Sequence, residues 1–286
     1  MDLKQLVMMA LQVSILSTVF SFGLKATTGD LLYVLRRPGL LGRSLLAMFV
    51  VVPVLAVILV LVFHFKPEVE VLVIALAISP VPPLLPQREQ VAGGHIAYGL
   101  GLMAMTVVLS LAVVPLELAV LQRVFDRATS LDSRNLLGLV FKAAILPLLT
   151  GMLLRALAPT VADRLAPIVA TIAKILLLLG AVGMLAGTYA SMLAQVGGGT
   201  VVAFVIFVLI GLTVGHLLGG PDPDHAAVLA LSTSCRHPAI AFAIASANDP
   251  NHSFGPLVIL YLLVNVIVAL PYLVWRRKAQ AANPAV

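Results

Sequence analysis

Residues 79–86 have the sequence SPVPPLLP and interrupt an apolar stretch that extends from Val69 to Val91. The interruption contains four prolines, which are Pro80, Pro82, Pro83 and Pro86. A proline inside a helix removes an amide donor and collides with the preceding turn, so a continuous helix cannot run through this stretch. Irregular backbone within a membrane is tolerated only where protein or a water-filled cavity satisfies its polar groups. The sequence therefore predicts a discontinuous membrane helix here.

A second apolar stretch, from His225 to Ser246, is interrupted in the same way by residues 232–238, with the sequence STSCRHP. Pro238 closes this interruption and Arg236 puts a charge in it. Each break taken alone is also compatible with a proline kink in a structural helix. Two broken spans in the two halves of one chain are typical of secondary transporters with inverted repeats. The pair therefore favours a transporter.

The composition of the whole chain places it in a membrane. Of its 286 residues, 61% are hydrophobic and 10% are charged, and the mean hydropathy is +1.10. Soluble chains have about 45–50% apolar and about 25% charged residues. A water-soluble enzyme is excluded, and so is a nucleic-acid-binding domain, because no Lys/Arg-rich stripe accompanies the net charge of +6. The single cysteine, Cys235, excludes a disulfide framework and a multi-cysteine metal site.

Nine apolar stretches are long enough to cross a bilayer core of about 30 Å. We predict an all-α, polytopic membrane protein with about nine transmembrane helices in one domain, residues 1–286. Its two repeats are predicted at about 1–122 and about 136–278. With the N-terminus outside, the inner ends of the spans hold ten of the 18 Lys and Arg residues and the outer ends hold six. Because basic residues accumulate in cytoplasmic loops, we expect an N-out/C-in protein of a bacterial inner membrane. The predicted spans are 6–24, 42–63, 69–91, 95–121, 136–157, 165–188, 200–218, 225–246 and 255–275.

Short motifs are spread over essentially the whole chain, and these are Phe20-Ser21-Phe22-Gly23-Leu24, Gly29-Asp30-Leu31, Arg37-Pro38, Met48-Phe49, Pro53, Ser79-Pro80, Gly94-His95-Ile96-Ala97, Leu146-Pro147, Gly151 and Arg236-His237-Pro238-Ala239-Ile240-Ala241. Their order and spacing resemble those of the bile acid:sodium symporter family. The resemblance implies an inverted five-plus-five repeat with a core and a panel domain, in which the two broken helices cross. It also implies a transporter of organic anions rather than an enzyme.

The chain departs from the family at the positions that the resemblance assigns to two sodium ions. A gap-free alignment from Pro80 places Leu85, Pro86, Gly99 and Met103 at the first site. At the second site, which the resemblance draws from the second span and the second break, the matching positions are Met48, Ser232 and Arg236. Hard cations take oxygen ligands, which the side chains of Leu, Pro, Gly and Met do not supply. We therefore expect no sodium coupling through these sites and no bound cofactor or metal, while proton coupling, exchange and uniport remain open.

Arg236 is the main candidate for a functional side chain, because an arginine at the bilayer centre costs at least about 2.5–3.5 kcal/mol. Its guanidinium could replace the cation of the second site and hold the carbonyl ends of the half-helices together. It could instead bind a substrate carboxylate or sulfonate through two parallel hydrogen bonds. A third role is a structural ion pair, for which Glu89 is the candidate partner. The sequence leaves these three roles open.

Four further residues are predicted to contact the substrate: His237, Gln87, Ser232 and Asn265. His237 could carry a coupled proton, since histidine titrates near neutral pH. The neighbouring Arg236 disfavours the protonated form, which favours a neutral structural role instead. Asn265 is expected to pair with the second broken helix, because polar side chains link membrane helices.

The sequence as a whole predicts a secondary transporter that moves a small or amphipathic organic anion by alternating access. Its expected partners are this anion and the lipid bilayer, with no nucleic acid. One alternative is a sodium-independent binding or sensor protein with the same fold. The other is an integral membrane enzyme, which would need clustered histidines and acidic residues at one depth.

Overall fold

The computed structural model describes residues 3–82, 88, 89, 91–125, 138 and 141–282. All regular elements within these residues are helices, so the predicted all-α class is confirmed. Two π-helical segments, Ala47–Val51 and Phe141–Ile145, lead directly into α4 and α7. The α-helices are α1 (Leu3–Lys25), α2 (Thr28–Leu35), α3 (Pro38–Leu46), α4 (Val52–Phe63), α5 (Pro67–Ile78), α6 (Ile96–Phe125), α7 (Leu146–Leu157), α8 (Pro159–Leu193), α9 (Thr200–Leu218), α10 (Pro223–Ser234), α11 (Pro238–Asn248) and α12 (Gly255–Ala282).

Six helical stretches of the described residues are long and apolar enough to cross a membrane. A seventh is added if the two parts of α6, which are bent by 57° between Ser110 and Ala112, count as one span. The protein is thus a multi-pass membrane protein, but the described residues do not reproduce all nine predicted spans. The third predicted span contains the 12-residue helix α5, which ends at Ile78 where the proline run begins. The fifth contains the 12-residue helix α7.

The helices form two packed groups. The first group, α1, α7 and α8, we call the panel, and the second group, α4, α5 and α9–α12, we call the core. Helix α6 lies between the groups, because Leu100 packs with α1 and α7 whereas Tyr98 and Leu102 belong to the main hydrophobic cluster of the core. The repeat boundaries at 122 and 136 remain predictions.

Close contact between α9 and α10 fixes the position of the second break. Gly211 and Gly215 lie four residues apart on α9, Gly219 follows directly after its end, and all three meet the backbone of α10. A Cβ atom at Gly211 would lie only 2.5 Å from the Cα of Ser234. Small residues at this spacing allow the backbones of membrane helices to approach closely. The C-terminal end of α10, where Arg236 follows, is therefore held against α9.

Candidate functional site

The two predicted breaks are present and lie against each other. Helix α5 ends at Ile78, and Ser79 is extended with φ −76° and ψ 145°. Helix α10 ends at Ser234, and Cys235 is extended with φ −111° and ψ 119°. The amide of His237 donates a hydrogen bond of 2.9 Å to the carbonyl of Pro80. The two discontinuous helices therefore meet at their breaks, and we call this region the crossing.

The side chain of Arg236 is completely buried at the crossing, with 0% exposure. Its Nη2 donates to the carbonyl of Met48 at 2.9 Å, and its Nη1 to that of Ser79 at 3.1 Å. Its Nε donates to the carbonyl of Thr233 at 3.2 Å. The carbonyls of Ser79 and Thr233 lie at the C-terminal ends of α5 and α10, where helix dipoles are negative. The guanidinium therefore neutralises two helix ends and binds a third helix at the same time.

The carbonyl of Met48 is available because of the π-helical segment and a proline. In an α-helix the amide of Val52 would donate to Met48, but here it donates to the carbonyl of Ala47. In the same π-register the next donor to Met48 would be residue 53, which is Pro53 and has no amide hydrogen. No backbone donor of its own helix is left for Met48. π-Helical segments are frequent at functional sites for this kind of reason.

The other two carbonyls lack helical donors because their helices end at the crossing. The donor four residues after Ser79 would be Pro83, which has no amide hydrogen. The donor four residues after Thr233 would be His237, whose amide is bound to Pro80. Carbonyls at helix ends need partners from outside the helix. Arg236 supplies these partners, so the proline pattern and the arginine belong to one arrangement.

Helix α12 satisfies the carbonyl of Ser234, the last residue of α10. Pro238 lies four residues after Ser234 and cannot donate to it. The Nδ2 of Asn265 donates to the carbonyl of Ser234 at 2.8 Å, and the hydroxyl of Tyr261 approaches it at 3.3 Å. The Oδ1 of Asn265 accepts from Nη1 of Arg88 at 3.1 Å, which connects α12 to the segment after the first break. Asn265 thus contacts the second broken helix, and its side-chain amide is hydrogen-bonded to the Ser234 carbonyl and to Arg88.

The structure places the other predicted site residues as follows. His237 is buried, and neither ring nitrogen has a hydrogen-bond partner among the described residues. Pro82 lies in the non-helical segment after α5. The side chains of Met48 and Met103 are buried in hydrophobic clusters. Pro83, Leu85, Pro86 and Gln87 lie outside the described residues.

Glu89 is a member of this region whose surroundings the sequence did not reveal. Its side chain is 3% exposed, and its Oε1 accepts a hydrogen bond of 2.8 Å from the hydroxyl of Ser232. Its Oε2 lies where a side chain at Gly99 would stand. The suggested ion pair between Arg236 and Glu89 is absent from the ion pairs of the described residues. Glu89 therefore has an environment separate from that of the guanidinium.

Glu117 is a second acidic residue that faces the interior. Both of its carboxylate oxygens are buried without a hydrogen-bond partner among the described residues. Glu117 and Arg236 attract each other electrostatically, but no ion pair joins them among the described residues. In the sequence, the only indication of this electrostatic interaction is that Glu117 lies two residues after Pro115. At this point α6 has already bent.

A separate polar cluster joins α2 to the starts of α6 and α10, away from the crossing. The hydroxyl of Tyr33 is 2.8 Å from Nε2 of His225, and its ring lies 4.3 Å from the ring of His95. Burial raises the pKa of the Tyr33 phenol, an effect that the Arg37 guanidinium, 3.7 Å from the ring centre, opposes. The cluster ties the short helix α2 to the core. It brings none of the predicted substrate residues together.

The fold and the crossing define a class of protein: a polytopic membrane protein in which two discontinuous helices meet at their breaks, an arrangement found in secondary transporters. The profile of the Sodium Bile acid symporter family matches residues 12–195, and the chain belongs to this family. The matched region runs from α1 to α8 and includes the first break, but it ends before the second. The family is one of transporters rather than enzymes. No curated protein sequence matches the chain.

Proposed function

We propose that this protein is a secondary transporter that moves an organic anion by alternating access, without sodium at the family's two sites. One observation carries the proposal: the guanidinium of Arg236 occupies the crossing and donates to the carbonyls of Met48, Ser79 and Thr233. In transporters of this architecture, carbonyls at the ends of half-helices coordinate the coupling cation. The guanidinium supplies the same positive charge and stays protonated throughout the physiological pH range.

The surroundings of Arg236 favour this role over contact with the substrate. A substrate carboxylate would need at least two accessible N–H groups in a forked arrangement. All three guanidinium nitrogens already donate to backbone carbonyls, and the side chain has no exposure. In this role Arg236 holds the broken helices together permanently, as a bound cation would do transiently. The core can then move against the panel as one body without first binding sodium.

The anionic substrate is inferred from the family, whose name specifies bile acids. We further propose the N-out/C-in orientation, because basic residues accumulate on the cytoplasmic side. Reaction of single cysteines introduced at Lys66 and at Lys278 with a membrane-impermeant reagent tests this orientation in intact cells. Labelling is expected at position 66 and not at position 278, and the reverse pattern would contradict the proposal.

Transport by the purified protein in proteoliposomes tests the function directly. Radiolabelled taurocholate and a set of smaller carboxylates serve as probes, with sodium in the buffers replaced by choline. We expect uptake of at least one anion at the same rate in both buffers. Strict dependence of uptake on sodium would overturn the proposed independence, and a protein that binds an anion without moving it would be a binding or sensor protein.

A variant at the crossing tests the proposed role of the guanidinium. Arg236→Gln removes the charge and leaves the three carbonyls with at most two amide hydrogens. We expect a lower Tm in choline and a partial recovery of Tm in sodium or potassium, because a free cation can then enter. Lys174→Gln is the matched control, since Lys174 is exposed on α8 and its replacement should give no cation-dependent recovery. Equal Tm values for Arg236→Gln and the native protein would contradict the proposed role.

A further inference from the structure

The carboxyl group of Glu89 lies buried beside the crossing, on the segment that follows the first break. Its Oε1 has one partner, the hydroxyl of Ser232, at 2.8 Å. Its Oε2 is buried and has no hydrogen-bond partner among the described residues. The carboxyl group fits there because residue 99 is glycine, since a Cβ atom at that position would collide with Oε2. The site is therefore shaped around this group by α6 and α10.

No cation of the described residues compensates the charge of Glu89. The adjacent Arg88 donates to Asn265, and the guanidinium of Arg236 is bound to three carbonyls. The four ion pairs of the described part of the chain all involve other residues. Glu117 is also buried without a hydrogen-bond partner among the described residues, and it differs only in that the charge of Arg236 partly opposes the effect of its burial. An isolated buried carboxylate is so unfavourable that such groups bind a proton instead.

The other titratable and charged groups around Glu89 do not change this conclusion. Tyr98 comes from α6 and Cys235 from the second break, and each has an electrostatic interaction with Glu89. Both are neutral in their ordinary protonation states at neutral pH, so neither supplies a positive charge. Ser232 donates its hydroxyl hydrogen to Oε1. Oε2 is therefore the atom on which an added proton would lie.

The geometry points to Glu89 as the group that binds and releases a coupling proton during transport. This inference rests on the proposed transport function and names the ion that drives it. The step is a simple protonation: the carboxylate takes one proton from water on one side of the membrane, becomes a neutral carboxylic acid, and returns the proton on the other side. Arg236 cannot do this, because arginine does not lose its proton in proteins. Of these two ionisable side chains at the crossing, only Glu89 can change its charge.

Infrared spectroscopy of the purified protein tests proton binding without any substrate. A protonated carboxyl group has a C=O stretching band that a carboxylate lacks, and this band shifts in D₂O. We expect the native protein to show such absorption at neutral pH and Glu89→Gln to lose the component that Glu89 contributes, while any component from the buried Glu117 remains. Glu117→Gln, which removes the buried carboxyl group near Arg236, is the matched control and should retain the Glu89 band. Identical spectra for the native protein and Glu89→Gln would overturn the inference.

Transport in proteoliposomes tests whether this proton is coupled to flux. A pH gradient should drive accumulation of the transported probe anion by the native protein. Glu89→Gln should lose this accumulation and retain equilibrium exchange of labelled for unlabelled probe, which shows that it is folded. Accumulation that persists in Glu89→Gln, or that follows a sodium gradient instead, would overturn the coupling. Absence of any flux in the native protein would overturn the proposed function and its coupling, whereas the infrared band would still report proton binding at Glu89.

Discussion

Two ionisable side chains at the crossing, Arg236 and Glu89, differ in how many hydrogen-bond partners surround them. Arg236 has three carbonyl partners within 3.2 Å, one for each guanidinium nitrogen. Glu89 is equally buried, but one of its oxygens has a single hydroxyl partner and the other has none among the described residues. A buried polar side chain that is hydrogen-bonded to protein groups is held in position. A buried polar side chain that lacks such partners can be stabilised by a ligand. The comparison suggests that Arg236 holds the two broken helices together and that Glu89 binds and releases a proton.

The largest expected effect is the loss of the fixed cation. Arg236→Met keeps an apolar stem of similar length and leaves three buried carbonyls without donors. Each such group costs about 1–3 kcal/mol. Relief from burying a charge offsets part of this cost, so we expect destabilisation of about 3–5 kcal/mol. Thermal unfolding in detergent measures it.

A matched change on the panel separates this effect from the mere loss of a basic residue. Lys174→Met, on the exposed face of α8, should change stability by less than about 0.5 kcal/mol. A similar Tm for Arg236→Met and Lys174→Met would show that the three carbonyl contacts contribute nothing, and the comparison with Glu89 would fail.

A smaller effect is expected where α6 makes room for the carboxyl group. Gly99→Ala places a methyl group against Oε2 of Glu89 and should destabilise the protein by about 1–3 kcal/mol, as overpacking of a core does. Because the collision involves only these two residues, Glu89→Ala should relieve it. The double variant Gly99→Ala/Glu89→Ala should then be more stable than the sum of the single effects predicts, and thermal unfolding of the four proteins measures this coupling. Additive effects would mean that Glu89 does not fill the space at Gly99.

The sequence predicted the two breaks correctly because their cause is local. A proline removes its own amide hydrogen wherever the chain is placed, so residues 80–86 and 238 predict interruptions without any knowledge of packing. Arg236 was recognisable for a similar reason, since a charge within an apolar stretch needs an explanation. Its partners were not predictable, because the carbonyl of Met48 becomes available only through a change of helical register 188 residues away.

The environment of Glu89 could not be predicted for a related reason. In the sequence it is one of several polar residues after the first break. Its burial depends on the missing side chain at Gly99 and on the hydroxyl of Ser232, which is 143 residues away. The resemblance identified Gly99 and Ser232 as positions where sodium ligands are missing. It gave no indication that the carboxyl group of Glu89 lies between these two residues. Six or seven candidate spans lie within the described residues, and the helix before the first break is only 12 residues long there because the proline run ends it.

The smallest effect concerns the only hydrogen bond that the side chain of Glu89 makes within the described residues. Ser232→Ala deletes the donor to Oε1 and should cost about 1 kcal/mol, the usual net contribution of one hydrogen bond. The cost should be no larger, because the protonated carboxyl group that we infer carries no charge to be stabilised. Ser234→Ala is a suitable control, since its hydroxyl bonds only to the carbonyl of Leu231 in its own helix. Thermal unfolding at neutral pH measures both variants. A loss of about 3 kcal/mol or more, the range for hydrogen bonds to charged groups left without partners, would indicate that Glu89 is ionised in the folded protein.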